Sequence, residues 1–378
     1  MTRLFTALAV LALLAATRSA GADTAPRDER GAVPVGAVVA HRAHSSLDAA
    51  RDEAPLAVRP RIPLAPPTIP NPALDRDFAD PDVLRVGDTY YAYATNSRWR
   101  RSGWVNVQVA RSSDLVHWDL LEDALPVLPA WARLRGGSVW APGLSALSDG
   151  NGYLLYFTAR HDASSRQCIG VATSGTPEGP FTPVGADPLV CQLDEGGSID
   201  ASSFLDDDGT RYLLWKNEGN TGHALSTDTW IYIQPLAADG LSLEGEPTRL
   251  IRADKAWEGP LIEAPTLWKR GGAYYLFYSG NEFRGEHYAV GYAVASSPLG
   301  PYHKPTDVPL LATGSRAAGA ISGPGGQTIL PSPDGRTWLV YHAWDASRRY
   351  RPLHIDELVW DGDRPVVEAR IHAPQSAP

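Results

Sequence analysis

Three carboxylates in this 378-residue chain have the types and spacing for chemistry. They are Asp80 in Phe78-Ala79-Asp80-Pro81-Asp82-Val83, Asp200 in Gly197-Ser198-Ile199-Asp200-Ala201-Ser202, and Glu263 in Ile262-Glu263-Ala264-Pro265-Thr266-Leu267. A single Asp before Pro or Ala is readily a turn former. Three acids that open three similar strands, 120 and 63 positions apart, need another explanation. Like charges brought together repel and raise one another's pKa, so stability gains nothing from the cluster. Acid–base catalysis requires such a set: one carboxylate to take a proton from water and one protonated carboxyl to release a leaving group. Asp77, Asp82 and Glu258 are the neighbouring acids; Asp82 is an alternative base, and Glu258 sits in an approach loop.

Residues so far apart in sequence meet only if the elements that carry them recur around an axis. Five segments share one pattern: a small or acidic motif with a short strand, an Asp or Gly turn, then an aromatic strand. The aromatic strands are Tyr90-Tyr91-Ala92-Tyr93, Tyr153-Leu154-Leu155-Tyr156-Phe157, Tyr212-Leu213-Leu214-Trp215, Tyr274-Tyr275-Leu276-Phe277-Tyr278 and Trp338-Leu339-Val340-Tyr341. The turns before them (Gly87-Asp88, Asp149-Gly150, Asp208-Gly209, Gly271-Gly272, Asp334-Gly335) are hairpin signals, since these residues accept positive φ. Third strands such as Val105 to Ala110 and Val290 to Ala295 follow, with closing phrases that lead to a fourth. The pattern predicts an all-β fold, a five-bladed β-propeller of four-stranded blades. A two-sheet sandwich also repeats hairpins, but it gives no reason for one motif to open each unit.

Composition agrees. Gly 35 and Pro 32 supply many turns, while Trp 12 and Tyr 15 against Phe 7 suit an all-β body with a ring-lined polar cleft. A formal charge of −9 spread along the chain argues against nucleic acid or anionic membrane as partner. Residues 1–22 read as a secretory signal, with Arg3, an apolar stretch from Leu4 to Ala16, and Ala20-Gly21-Ala22 as the cleavage pattern. That stretch is too short to span a bilayer. Residues 23–72 carry nine Pro and no aromatic residue, and are expected to be a flexible linker. Residues 73–372 are the expected propeller. Cys168 and Cys191, both outside the leader, are expected to form a structural disulfide in an oxidising compartment.

The three acidic motifs resemble those of glycoside hydrolase family 43, over about Asn71 to Ala369. The resemblance implies a five-bladed propeller that inverts the anomeric centre of arabinofuranosides and xylosides. It assigns Asp80 as general base, Glu263 as general acid, and Asp200 as the residue that tunes and orients the acid. Inversion places the two working carboxyls roughly 6.5–9.5 Å apart. Trp140, which opens blade two, is expected to stack on sugar C–H faces. Lys216, Asn217, Gln327, His342 and Arg351 are expected substrate contacts, a structural histidine being an equal reading of His342. One departure stands out: many family members read Gly-Pro-Gly-His where this chain has Gly323-Pro324-Gly325-Gly326-Gln327. The missing imidazole puts an axial calcium in doubt, although the Gln327 amide oxygen can approach the same space. No cofactor is otherwise expected.

These readings lead to a secreted, monomeric, inverting glycosidase of plant cell-wall pentosans, an exo-α-L-arabinofuranosidase first, with β-xylosidase and endo-arabinanase open. A sugar-binding propeller without turnover is the rival from another class, and a retaining, nucleophile-based relative is a third reading.

Overall fold

A computed structural model of the chain describes residues 69–99, 103–135, 138–147, 150–224, 228–314 and 321–368. The expected signal segment, the linker up to residue 68, Asp149 of one hairpin turn, and residues 369–372 lie outside the described residues.

The described residues form five antiparallel sheets plus one small hairpin, Ser97–Trp99 with Gly103–Val105. The first strands of the sheets are Asp82–Val86, Trp140–Ala146, Ser198–Leu205, Ile262–Arg270 and Ser322–Pro331. Each touches the first strand of the sheet before it and of the sheet after it, and the last touches the first. This closed ring of inner strands is the five-bladed propeller. Blades one, two, three and five have four strands. In blade four the outermost position is held by a single bridge between Val294 and His303 beside three continuous strands.

Each inner strand turns into its neighbour through a short hairpin, and Gly209 and Gly335 occupy two of these turns at φ 87° and 84°. Apolar side chains on alternating positions then fill the five seams between successive blades, one hydrophobic cluster to each seam. The Trp and Tyr surplus resides largely here: Trp215 stacks on Tyr232 with ring centroids 5.6 Å apart, and Tyr93, Tyr156, Tyr275 and Tyr341 are fully buried. The seam between blades five and one is closed by the lead-in strand. Ala73 N–H donates to Leu353 O at 2.8 Å, Phe78 N–H to Arg351 O at 2.9 Å, and Asn71 exchanges bonds with Ile355. Ile69 is buried in the same cluster, so residues 69–72 pack with the propeller although the expected linker includes them. Cys168, on the third strand of blade two, is disulfide-bonded to Cys191 in the connection to blade three.

One irregularity recurs at the mouth of every inner strand. The register slips between Trp140 and Gly143, between Ile199 and Ser202, between Glu263 and Thr266, and between Gly325 and Thr328. In blade one, Thr95 N–H donates to Ala79 O while Asp82 already opposes Tyr93, which is the same slip. Each slip is a β-bulge, and its first residue takes positive φ: Asp80 53°, Ala141 42°, Asp200 59°, Ala264 53°, Gly326 58°. Four of these five are not glycine, so the surrounding sheet holds a backbone state that costs energy in isolation.

Candidate active site

The bulges aim the carboxylates. Asp80 and Asp200 both occupy the positive-φ position of their bulges, whereas Glu263 precedes its bulge and opposes Ser279. The three acids therefore do not share one structural position, as the repeat suggests. Trp140 is the counterpart of Glu263, paired with Thr158, rather than of the two aspartates. The longer Glu side chain starts one residue earlier and reaches the same cavity. That cavity, of about 460 Å³, is lined by Asp80, Asp200 and Glu263 together. Its walls come from every blade: Thr95, Trp140, Lys216, Phe283 and Arg351 stand around the carboxylates.

The electrostatic environments differ. Burial pushes the Asp80 carboxyl up, but Arg351 with Nη1 3.6 Å away and the Thr95 hydroxyl at 2.6 Å outweigh it, holding Asp80 below the usual carboxylate range. Glu263 is raised, chiefly by burial, with Asp80 and Glu218 adding repulsion. Lys216 Nζ, 3.7 Å away, and the Tyr288 hydroxyl, donating at 2.9 Å, pull it partly back. Asp200 is raised further, first by burial and then by Glu263. Asp200 and Glu263 repel each other as a coupled pair, and both are raised. The cavity thus holds one carboxyl shifted below its ordinary range and two shifted above theirs.

The expected substrate contacts divide. Trp140 and Arg351 line the cavity. His342 is fully buried behind Asp80, where its Nδ1 accepts the Asp80 backbone N–H at 3.0 Å and its ring stacks on Tyr288. Burial, with Arg351 beside it, lowers its pKa to about 3, so the ring is neutral. It supports the base from behind. Asn217 is also fully buried and faces away: its Oδ1 accepts Trp230 N–H at 2.6 Å and its Nδ2 donates to Glu195 and Asp228. Those bonds pin the loop after the second strand of blade three and leave nothing for a sugar. Gln327 likewise is absent from the cavity wall. Its Oε1 accepts the Ser279 hydroxyl at 2.8 Å and its Nε2 donates to Ala264 O at 2.7 Å, joining blades four and five.

Asp82, the alternative base, lies beneath the cavity on the propeller axis. Its carboxylate accepts Leu144 N–H, Val83 N–H and the Thr328 hydroxyl. Asp77 accepts from Ser97 and Arg351 N–H, and Glu258 from Tyr278, Lys304 and two backbone amides, so neither faces the cavity. Calcium requires six to eight oxygen ligands. The Asp82 carboxylate and the Gln327 amide oxygen, which line the axial cavity, accept hydrogen bonds from Leu144, Thr328 and Ser279.

Sequence reasoning missed Thr95, Glu218, Tyr288, Phe283 and Arg284. Phe283 and Arg284 belong to the loop between the second and third strands of blade four. Trp344 Nε1–H donates to Phe283 O at 2.9 Å and Arg348 to Arg284 O at 2.8 Å, which locks this loop to blade five. The Arg351 guanidinium lies 4.7 Å from the Phe283 ring centroid. Aligning the ends of the second strands, rather than only the first, singles out Thr95.

Residues 69–365 match the family model described as glycosyl hydrolases family 43. A β-D-galactofuranosidase XynD of Aspergillus niger is 31% identical over 77% of this chain and 82% of its own length. Xylosidase/arabinosidase 43B of Humicola insolens is 28% identical over 79% of this chain, and an extracellular endo-α-(1→5)-L-arabinanase of Thermotoga petrophila is 31% identical over 60%. The chain spans only about half the length of these last two, 54% and 50%. Among solved structures, a thermostable family-43 glycoside hydrolase superposes with TM-score 0.67 at 29% identity, covering 80% of this chain and 96% of that one. An endo-1,4-β-xylanase of Bacteroides thetaiotaomicron gives TM-score 0.66 at 30% identity, covering 78% and 95%.

Proposed function

This chain belongs to glycosyl hydrolase family 43 and is a glycoside hydrolase, and from that premise we propose that it is an inverting exo-α-L-arabinofuranosidase. The observation that carries this reading is the contrast within one cavity: three carboxyls meet there, Asp80 beside Arg351 and shifted toward its ionised form, Glu263 buried and shifted toward its protonated form. Asp80 takes a proton from an attacking water while Glu263 gives its proton to the departing glycosidic oxygen, the two-carboxylate route to inversion. Asp200 orients the acid by accepting the Ala264 N–H at 3.0 Å, which fixes the backbone next to Glu263. Trp140, on the cavity wall, offers a face for the sugar ring. The volume suits a sugar ring with its leaving group, toward the smaller end of the about 300–1,000 Å³ range of ligand pockets. The printed names of the Aspergillus niger, Humicola insolens and Thermotoga petrophila relatives cover a galactofuranoside, xylosides with arabinosides, and arabinan, a range that includes the arabinofuranoside proposed here and the xyloside alternative. We further take the protein to be exported and monomeric.

A panel of arabinofuranosides, xylosides, galactofuranosides and linear arabinan, followed by proton NMR, tests the reading. Release of L-arabinose first seen as the β-anomer from α-arabinofuranosides is expected. Faster turnover of a xyloside, or mid-chain cleavage of arabinan, replaces the assignment with a sister activity. An unchanged anomer overturns inversion.

A further inference from the structure

The bulges at the strand mouths are tied together in a ring. In each blade the residue opposite the pre-bulge position lies at the end of the second strand: Thr95, Thr158, Lys216, Ser279 and His342. Four of these five accept the bulge N–H of the next blade. Thr95 Oγ1 takes Ala141 N–H at 2.9 Å, and Thr158 Oγ1 takes Asp200 N–H at 3.3 Å. Ser279 Oγ takes Gly326 N–H at 2.9 Å, and His342 Nδ1 takes Asp80 N–H at 3.0 Å, which closes the ring from the last blade to the first.

Lys216 is the exception. An ammonium has no lone pair to offer. The N–H it leaves unmet, that of Ala264, is taken by the Asp200 carboxylate at 3.0 Å. The buried ammonium reaches instead toward the acid: Nζ lies 3.7 Å from Glu263 Oε2, 3.1 Å from Glu218 Oε1 and 2.9 Å from Asn220 Oδ1.

We propose that Lys216 is a positioning residue for the general acid: it forgoes the hydrogen bond its four counterparts make, so that Asp200 must serve as the inter-blade cap beside Glu263 and a fixed cation faces the Glu263 carboxyl. One residue choice thereby sets both neighbours of the acid. The inference rests on the reading of Glu263 as acid. The charged and titratable groups that share the cavity with Glu263 are Lys216, Tyr288, Asp80, Asp200, Glu218, Glu282, Arg284 and Arg351; of the cations, Lys216 lies in direct ion-pair range of its carboxylate. The charge favours the ionised form of Glu263, so its removal shifts the titration of the acid upward.

The test compares wild type with Lys216→Met, Lys216→Thr and Lys216→Arg, by pH profiles of kcat and KM on the best substrate of the panel and by thermal unfolding. The alkaline limb of kcat, above which the acid is spent, is expected to move about one pH unit or more upward in the Met and Thr variants. A fall in kcat of tenfold or more with little change in KM should accompany it, and Lys216→Arg should retain most of the wild-type profile. The Thr variant places at this position the residue type found at Thr95 and Thr158, and provides a second fold-compatible replacement. A limb that stays in place, a limb that moves downward, or a rise in KM with kcat intact overturns the proposal. Unfolding of both Met and Thr variants with a sound Arg variant assigns Lys216 to stability alone and also overturns it. A wild type inactive on the whole panel instead overturns the functional reading on which the inference rests.

Discussion

The backbone N–H of Asp80 donates to Nδ1 of His342, 262 residues away in sequence and 3.0 Å away in space. That bond joins the first blade to the last directly behind the carboxylate proposed as base. It is made to a neutral ring, because protonation at Nδ1 would remove the acceptor. His342→Ala should therefore leave a buried N–H without a partner and a void beneath Tyr288. A loss of about 2–4 kcal/mol is expected in urea unfolding, together with reduced kcat.

The same ring links stability to pH. His342 titrates near 6.5 when unfolded and at about 3 when folded. Between these values the unfolded chain binds the extra proton, so stability is present above pH 6.5 and is lost as pH falls toward 3. The slope from this group is at most about 1.4 kcal/mol per pH unit. Unfolding free energies from pH 7 to 4 should show that component in wild type and lose it in His342→Gln. Parallel curves for the two proteins count against it.

Arg351 sets the acid limb of activity. Its guanidinium, with the Thr95 hydroxyl, lowers the Asp80 carboxyl against the effect of burial. Activity should accordingly persist on the acid side to below the ordinary carboxylate range. Arg351→Met lets burial dominate, and the acid limb of kcat/KM should rise by about one pH unit or more. An unmoved limb would reassign the base.

Glu263→Gln preserves shape and removes the proton donor. Substrates with poor leaving groups should lose about 10²–10⁴ in kcat, while aryl glycosides with activated leaving groups keep much of theirs. Equal losses on both classes would sink the assignment of Glu263 as acid.

Replacing Cys168 and Cys191 together by Ala opens a crosslink across 23 positions. Neither cysteine lines the cavity. About 2–4 kcal/mol of stability should be lost, read as a lower unfolding midpoint, with kcat at 25 °C unchanged.

Much of the architecture is legible in the chain because it follows short-range rules. Hairpin glycines, alternating apolar residues and the fivefold recurrence of aromatic strands are local patterns. They lead to blades and to the order of the carboxylates, while the Cys168–Cys191 pair follows from there being two cysteines in the chain. Asn217 and Gln327 show where that legibility stops. Both lie close in sequence to residues of the site, but their amides are occupied by Trp230, Glu195, Ser279 and Ala264, partners that period-two patterning does not reveal.

By itself the sequence determined that three acids open three of five similar strands, and hence that they meet on an axis. Only the tertiary structure decided how they meet. A bulge sets two residues against one and turns the backbone into positive φ, so the alternation that says which way a side chain points fails at the strand mouth. Asp80 and Asp200 therefore face the cavity from inside their bulges, Glu263 from the residue before its own. The environments that shift one carboxyl down and two up come from burial and from Arg351, Lys216 and Tyr288, carried by strands and loops far away in sequence. Such charges act through distance and burial, and neither is written in residue order.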